Sequence, residues 1–168
     1  MFNKLIFGFV LFFQFNTNAF AQFTFAEIGV DGLTCSQCQR SVEMGIRKLD
    51  FVDDVKVNLE NTDGKIIFKP GKKISFDKIA KAVTDAGFSV RFIKVNFIFN
   101  NLSVSDNFCF LYEENNYQFI KSGNVILNGE KTIKILGKNF MSPSEYKNMK
   151  SDLKKVCDKS TPSYFVML

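Results

Sequence analysis

Between Phe23 and Val95 the hydrophobic positions follow two alternating rhythms, one of period two and one near 3.6 residues. Phe23 to Val30 (FTFAEIGV) sets Phe23, Phe25 and Val30 among small and polar residues, a strand pattern with imperfect alternation. Asp31-Gly32 breaks it. From Cys38 onward Val42, Ile46 and Leu49 recur at helical spacing, with Gln39, Arg40, Glu43, Arg47 and Lys48 on the other side. Thr34 and Gln37 have capping-box spacing, so the pattern predicts a helix that begins within the Cys35/Cys38 pair and ends near Asp50. Val55, Val57 and Leu59 alternate with charged and polar neighbours as a half-buried strand. Asn61-Thr62-Asp63-Gly64 predicts the hairpin turn and Lys65 to Lys69 the returning strand. Ser75 is placed to cap a second helix with Phe76, Ile79, Ala80 and Val83 inward, Gly87 to close it, and Phe88 to Val95 to form a fourth strand. The order βαββαβ over residues 22–95 predicts an α+β, ferredoxin-like domain: four antiparallel strands with two helices on one face.

Past Asn96 the pattern shortens. Phe97 to Val104, Phe108 to Tyr112, Tyr117 to Lys121, Val125 to Leu127 and Thr132 to Leu136 are apolar or alternating runs separated by turn-like segments, Asn128-Gly129-Glu130 among them. They predict a small antiparallel sheet or barrel. Ser142-Pro143-Ser144-Glu145 opens a predicted helix with Tyr146, Met149, Leu153 and Val156 on one face and Cys157 at its end. Residues 96–168 therefore read as a β-rich module with a C-terminal helix.

The first 21 residues follow neither rhythm. Lys4 precedes an almost wholly apolar run, Leu5 to Phe15, followed by polar Asn16-Thr17-Asn18 and then Ala19-Phe20-Ala21. That is the layout of a secretory signal, with cleavage expected after Ala21. The run is too short to cross a ~30 Å hydrocarbon core as a helix, which disfavours a membrane anchor. No later run approaches that length. The expectation is an exported protein, Gln22 to Leu168, with no transmembrane segment after cleavage. The net charge of +5 does not make it a nucleic-acid binder: both halves interleave the two signs in near balance, with no basic stripe.

There are four cysteines and no histidine. The missing imidazole removes Cys/His zinc sites, histidine bases and Cys–His nucleophiles together. No carboxylate pair, nucleophile–base set or phosphate loop stands out, so an enzyme is not expected. Cys35 and Cys38 sit where a helix begins, and the amides and macrodipole there favour thiolate. Two thiolates one turn apart converge on one ion, and soft sulfur donors select Cu(I), or a similar ion such as Hg(II). A structural zinc site wants four ligands. A Cys-x-x-Cys pair also serves disulfide exchange, or closes as an inert disulfide. The thioredoxin marks, a Trp before the first cysteine and a facing Pro, are absent; Pro70 falls at a strand end. Cys109, within Phe108-Cys109-Phe110, and Cys157 form the distant pair, either disulfide-bonded or separately buried. Met44, Met141, Met149 and Met167 are further soft donors, more often packing than ligands.

Gly32-Leu33-Thr34-Cys35-Ser36-Gln37-Cys38, the helix behind it and Asp85-Ala86-Gly87-Phe88 resemble a heavy-metal-associated domain, the module of copper chaperones, of the N-terminal arms of metal-transporting P-type ATPases and of periplasmic mercury-binding proteins. The resemblance covers about residues 24–95. It implies Cys35 and Cys38 as the metal ligands and Gly32 as the leading glycine of the family's G-M-T-C-x-x-C pattern. Leu33 replaces the usual Met with little change of volume. Thr34 stands where zinc-handling relatives carry an acid, which favours copper, and Phe88 shields the loop. The implied function is an exported, periplasmic carrier of one Cu(I), with a metal-transporting ATPase or another thiol-bearing donor or acceptor as partner. A thiol–disulfide oxidoreductase using the same pair is the alternative. A further alternative is an envelope binding module whose second half docks a partner.

Overall fold

The computed structural model describes residues 23–168; the expected signal segment and its cleavage site lie outside the described residues. In chain order the elements are β1 (Phe23–Asp31), α1 (Ser36–Arg47), β2 (Val52–Asn58), β3 (Asp63–Phe68), α2 (Phe76–Asp85), β4 (Ser89–Val104), β5 (Cys109–Tyr112), β6 (Asn115–Phe119), β7 (Val125–Leu136), α3 (Pro143–Met149) and β8 (Ser163–Met167). The first four strands pair antiparallel in the order β2-β3-β1-β4. Ala26, Ile28 and Val30 of β1 are fully buried at period two, as are Ile66, Ile93 and Val95 of its neighbours. They join one core with Val42 and Ile46 of α1 and with Phe76, Ile79, Ala80 and Val83 of α2. That is the ferredoxin-like arrangement the periodicity predicts.

Three local expectations shift. Helix α1 stops at Arg47 rather than near Asp50, because Leu49 turns back with its N–H on the Ile46 carbonyl and packs on the core. Asp63 and Gly64 are not the hairpin turn but the first residues of β3, opposite Asn58 and Val57. The turn falls at residues 59–62 because outside groups hold it there. Val30 N–H donates to the Thr62 carbonyl at 2.9 Å, and the Arg91 guanidinium donates to Thr62 Oγ1 and the Asn61 carbonyl. Helix α2 keeps its expected ends: Ser75 Oγ accepts the Lys78 N–H at 3.3 Å, and Gly87 follows the helix at φ +89°. Phe88 N–H returns to the Val83 carbonyl and Gly87 N–H to that of Thr84, a Schellman closure that needs a left-handed residue at position 87.

The second half extends the same sheet. The complete order is β2-β3-β1-β4-β7-β8-β6-β5, eight strands without a break. The expected boundary at 95/96 falls inside β4, which pairs with β1 through its first part and with β7 along most of its length. Val125–Leu127 and Thr132–Leu136 are one strand, β7. Its Asn128-Gly129-Glu130 is no turn, because β4 accommodates the irregularity with a bulge between Phe99 and Leu102, where Asn101 has φ +47°. The added strands are not wholly antiparallel either: β6 runs parallel to β8.

The predicted C-terminal helix is the largest miss. Helix α3 ends at Met149, and the last element is a strand. Leu153 and Val156 continue the helical spacing in sequence, but other bonds claim this segment. Gln118, fully buried on β6, donates from Nε2 to the Lys154 carbonyl at 2.9 Å and accepts the Val156 N–H on Oε1 at 2.9 Å. Cys157 therefore ends no helix; it is buried and bonded to Cys109. After Pro162, Ser163–Met167 (SYFVM) enters the sheet with Tyr164 and Val166 inward.

Aromatic side chains fill the concave side where the sheet curls. Phe23 of β1 meets Tyr112 of the far-edge strand β5 edge-on at 5.3 Å, and Phe97 of β4 meets Phe110 at 5.5 Å. Tyr164 of β8 packs against Phe76 at the start of α2 and donates its hydroxyl to Asp77 Oδ2 at 2.9 Å. Burial, reinforced by the Asp77 charge, pushes the Tyr164 phenol above the ordinary tyrosine range.

Candidate metal centre

The loop leaving β1 carries two sulfurs onto the start of α1. Cys35 is the N-cap, in extended conformation (φ −146°, ψ 156°). Its Sγ accepts the Cys38 N–H at 3.1 Å, and its carbonyl accepts the Gln39 N–H at 3.1 Å. The sequence spacing points to Thr34 for that role. The chain caps the helix one residue later, with sulfur in place of a hydroxyl. The first turn of α1 holds no acidic side chain, so the positive end of the helix is left to whatever charge the sulfurs carry.

The surroundings of the pair are graded. Cys35 is exposed, whereas Cys38 is half-buried and packs on the main core. Leu33 is buried beneath the loop, Thr34 is exposed, and Phe88 is half-buried beside it. Gly32 has φ +89°, and a Cβ there would sit 3.5 Å from the Phe88 ring, an ordinary contact. Space is therefore not what excludes a side chain at position 32; the backbone is. Gly32→Ala is expected to lower stability by about 1–3 kcal/mol, the strain of an L-residue in that region, read as a shift in urea midpoint.

The Cα atoms of Cys35 and Cys38 are 5.2 Å apart, and the two sulfurs are joined as a disulfide. In this oxidised form the pair offers no thiolate. Opened by reduction, it supplies two soft donors, one at the surface. Among the described residues no three Cys, Asp or Glu side chains come together as a metal cluster. That donor set fits a two-coordinate soft ion and does not fit a four-ligand zinc site. Cys109 and Cys157 do not join this loop: they bond to each other with a Cα separation of 5.8 Å.

The fold and the paired sulfurs define a small ferredoxin-like module that presents two cysteines, three positions apart, at one end of its sheet. Residues 27–89 match the model of the heavy-metal-associated domain, and this part of the chain is such a domain. Over 70 residues the chain is 37% identical to copper-transporting ATPase 1 of Rhizobium meliloti (strain 1021), covering 42% of this chain and 8% of the ATPase. It is 38% identical over 61 residues to the mercuric transport protein periplasmic component of Pseudomonas fluorescens, covering 36% of this chain and 66% of that protein. It is 28% identical over 64 residues to the copper chaperone CopZ of Staphylococcus epidermidis (strain ATCC 35984), covering 38% of this chain and 93% of the chaperone. The chain thus spans only a small part of the ATPase it matches, and the shared region is a metal-binding module, not an enzyme.

Proposed function

We propose that the chain is an exported carrier that holds one Cu(I) between the thiolates of Cys35 and Cys38 and gives it up by ligand exchange. The observation that carries this reading is the placement of both sulfurs at the N-terminus of α1, one half-buried against the core and one open to solvent. The half-buried Cys38 anchors the ion, and the exposed Cys35 is where an incoming thiol displaces a ligand. Thr34 puts no carboxylate beside the pair, which suits a monovalent soft ion; Hg(II) is served by the same donors. The relatives support cargo and setting alike, since two are named for copper and one as a periplasmic component of mercuric transport. The signal-like pattern of residues 1–21 agrees with a periplasmic location. A metal-transporting ATPase, or another protein with exposed thiols, is the partner this chemistry suits.

Titration of the reduced protein with Cu(I) against a chromogenic chelator is expected to show about one tightly held ion per chain. Cys35→Ser with Cys38→Ser is expected to lose that competition, and the oxidised wild type is expected to lose it as well. Tight binding that survives the double substitution would overturn the reading. The closed pair favours one second reading, thiol–disulfide exchange. Turnover of a disulfide substrate above the free-thiol background supports that alternative, and its absence rejects it.

A further inference from the structure

Four methionines lie within the described residues, and the fold treats them unequally. Met44 stands on α1, 44% exposed. The other three belong to separate structural segments and share one small apolar cluster. Met141 is buried with Ile120 and Leu136 in a small cluster apart from the main core, and Met149 of α3 and Met167 of β8 pack on that cluster, half-buried. Three different segments deliver them: Met141 is bridged to Phe92 of β4, Met149 ends α3, and Met167 lies on β8. The register sets Lys134 opposite Met167 and Leu136 opposite Phe165, and Lys134 is ion-paired with Glu145 of α3.

We propose that Met141, Met149 and Met167 form a second soft-metal site, a thioether site for a monovalent ion such as Cu(I). Thioether sulfur is a soft donor that favours Cu(I) over harder ions. Unlike a thiol it neither titrates nor closes into a disulfide. That difference matters in this chain, because all four cysteines are bonded in the structure. In the oxidised protein the thioethers are the only sulfur donors left among the described residues. Met141 supplies a fixed, buried sulfur, while Met149 and Met167 sit near enough to the surface to admit an ion. The ion pairs Lys134–Glu145 and Lys121–Asp152, whose residues adjoin the cluster in sequence or register, are each neutral overall, so they do not oppose a single positive charge. A site of this kind holds its ion more loosely than two thiolates and keeps it under oxidising conditions that close the Cys35–Cys38 pair. The inference rests on the carrier reading only for the choice of ion.

The test uses the full, oxidised chain carrying 13C-methyl methionine, with Ag(I) as a redox-inert soft probe and Cu(I) as the second. The methyl signals of Met141, Met149 and Met167 are expected to move together and saturate near about one equivalent, while that of Met44 stays in place. Met141→Leu with Met149→Leu and Met167→Leu conserves volume and is expected to weaken uptake by roughly tenfold or more. If the triple variant does not fold, Met149→Leu and Met167→Leu, each at a half-buried position, are expected to weaken uptake singly. Methyl signals that all move alike, or not at all, would show that these methionines only fill space, as would undiminished uptake by the folded variants. The cysteine-free loop variant, Cys35→Ser with Cys38→Ser, separates the two readings: it removes the tight site and leaves the methionine shifts intact.

Discussion

Phe97→Ala is expected to destabilise the chain by about 3–5 kcal/mol and to shift one cooperative transition rather than split it in two. Phe97 is 1% exposed and stands at the middle of the curled sheet. Its ring meets Phe99 at 4.7 Å, Phe23 at 4.8 Å, Tyr112 at 4.9 Å and Phe110 at 5.5 Å. Those partners belong to β1, β4 and β5, so a single truncation opens a cavity between the beginning of the sheet and its far edge. Pairwise ring contacts add about 0.5–1.5 kcal/mol each beyond burial, which places the cost near the upper end. Because β4 runs through residue 95, no seam is available along which the first half can keep its fold while the second melts. Urea unfolding followed by far-ultraviolet circular dichroism and by tyrosine signals tests this. Coincident curves, both shifted, are the expected outcome; two separated transitions would restore the division into modules at 95/96.

The contrast between the halves explains what could be read from the sequence. In residues 22–95 each element is long enough to show its own period, and local chemistry marks most of its ends. Ser75 caps α2, Gly87 closes it, and the alternation of Val55 and Val57 identifies β2. The exceptions are ends fixed from a distance, such as the turn at 59–62 held by Arg91 and Val30. In the second half, distance decides nearly everything. Nothing local joins Val125–Leu127 to Thr132–Leu136; the facing bulge in β4 does. Nothing local stops the helical pattern at Met149; the buried amide of Gln118, more than thirty residues earlier in the chain, takes the polar groups of Lys154 and Val156. The candidate site divides in the same way. Cys35, Cys38, Gly32, Leu33 and Phe88 lie close enough in one pattern to be recognised together, although the cap falls on Cys35 and not on Thr34. The three methionines are spread over 27 positions, from Met141 to Met167, and only the fold, through the bridge of Met141 to Phe92, helix α3 and strand β8, gathers them on one cluster.

Replacing Cys109 and Cys157 with alanine is expected to cost about 4 kcal/mol, with little effect on Cu(I) uptake by the reduced loop. The bond spans a sequence separation of 48, whereas Cys35–Cys38 spans 3. In the chain-entropy account the long loop contributes about 4 kcal/mol and the short one under ~2 kcal/mol. Opening the short bond therefore leaves most of the cross-link stabilisation in place, as the proposed Cu(I) site requires. Access favours the same order: Cys35 is exposed, while Cys157 is buried beside Gln118, its Sγ 3.6 Å from the amide oxygen. The alanine variant is accordingly expected to show a large drop in urea midpoint, with its tight Cu(I) competition unchanged under conditions where it remains folded. Limited reduction of the wild type followed by alkylation is expected to label Cys35 and Cys38 well before Cys109 and Cys157. Simultaneous labelling of all four would mean that the metal loop cannot be opened without unlatching residues 154–157, and that the two cross-links work as one.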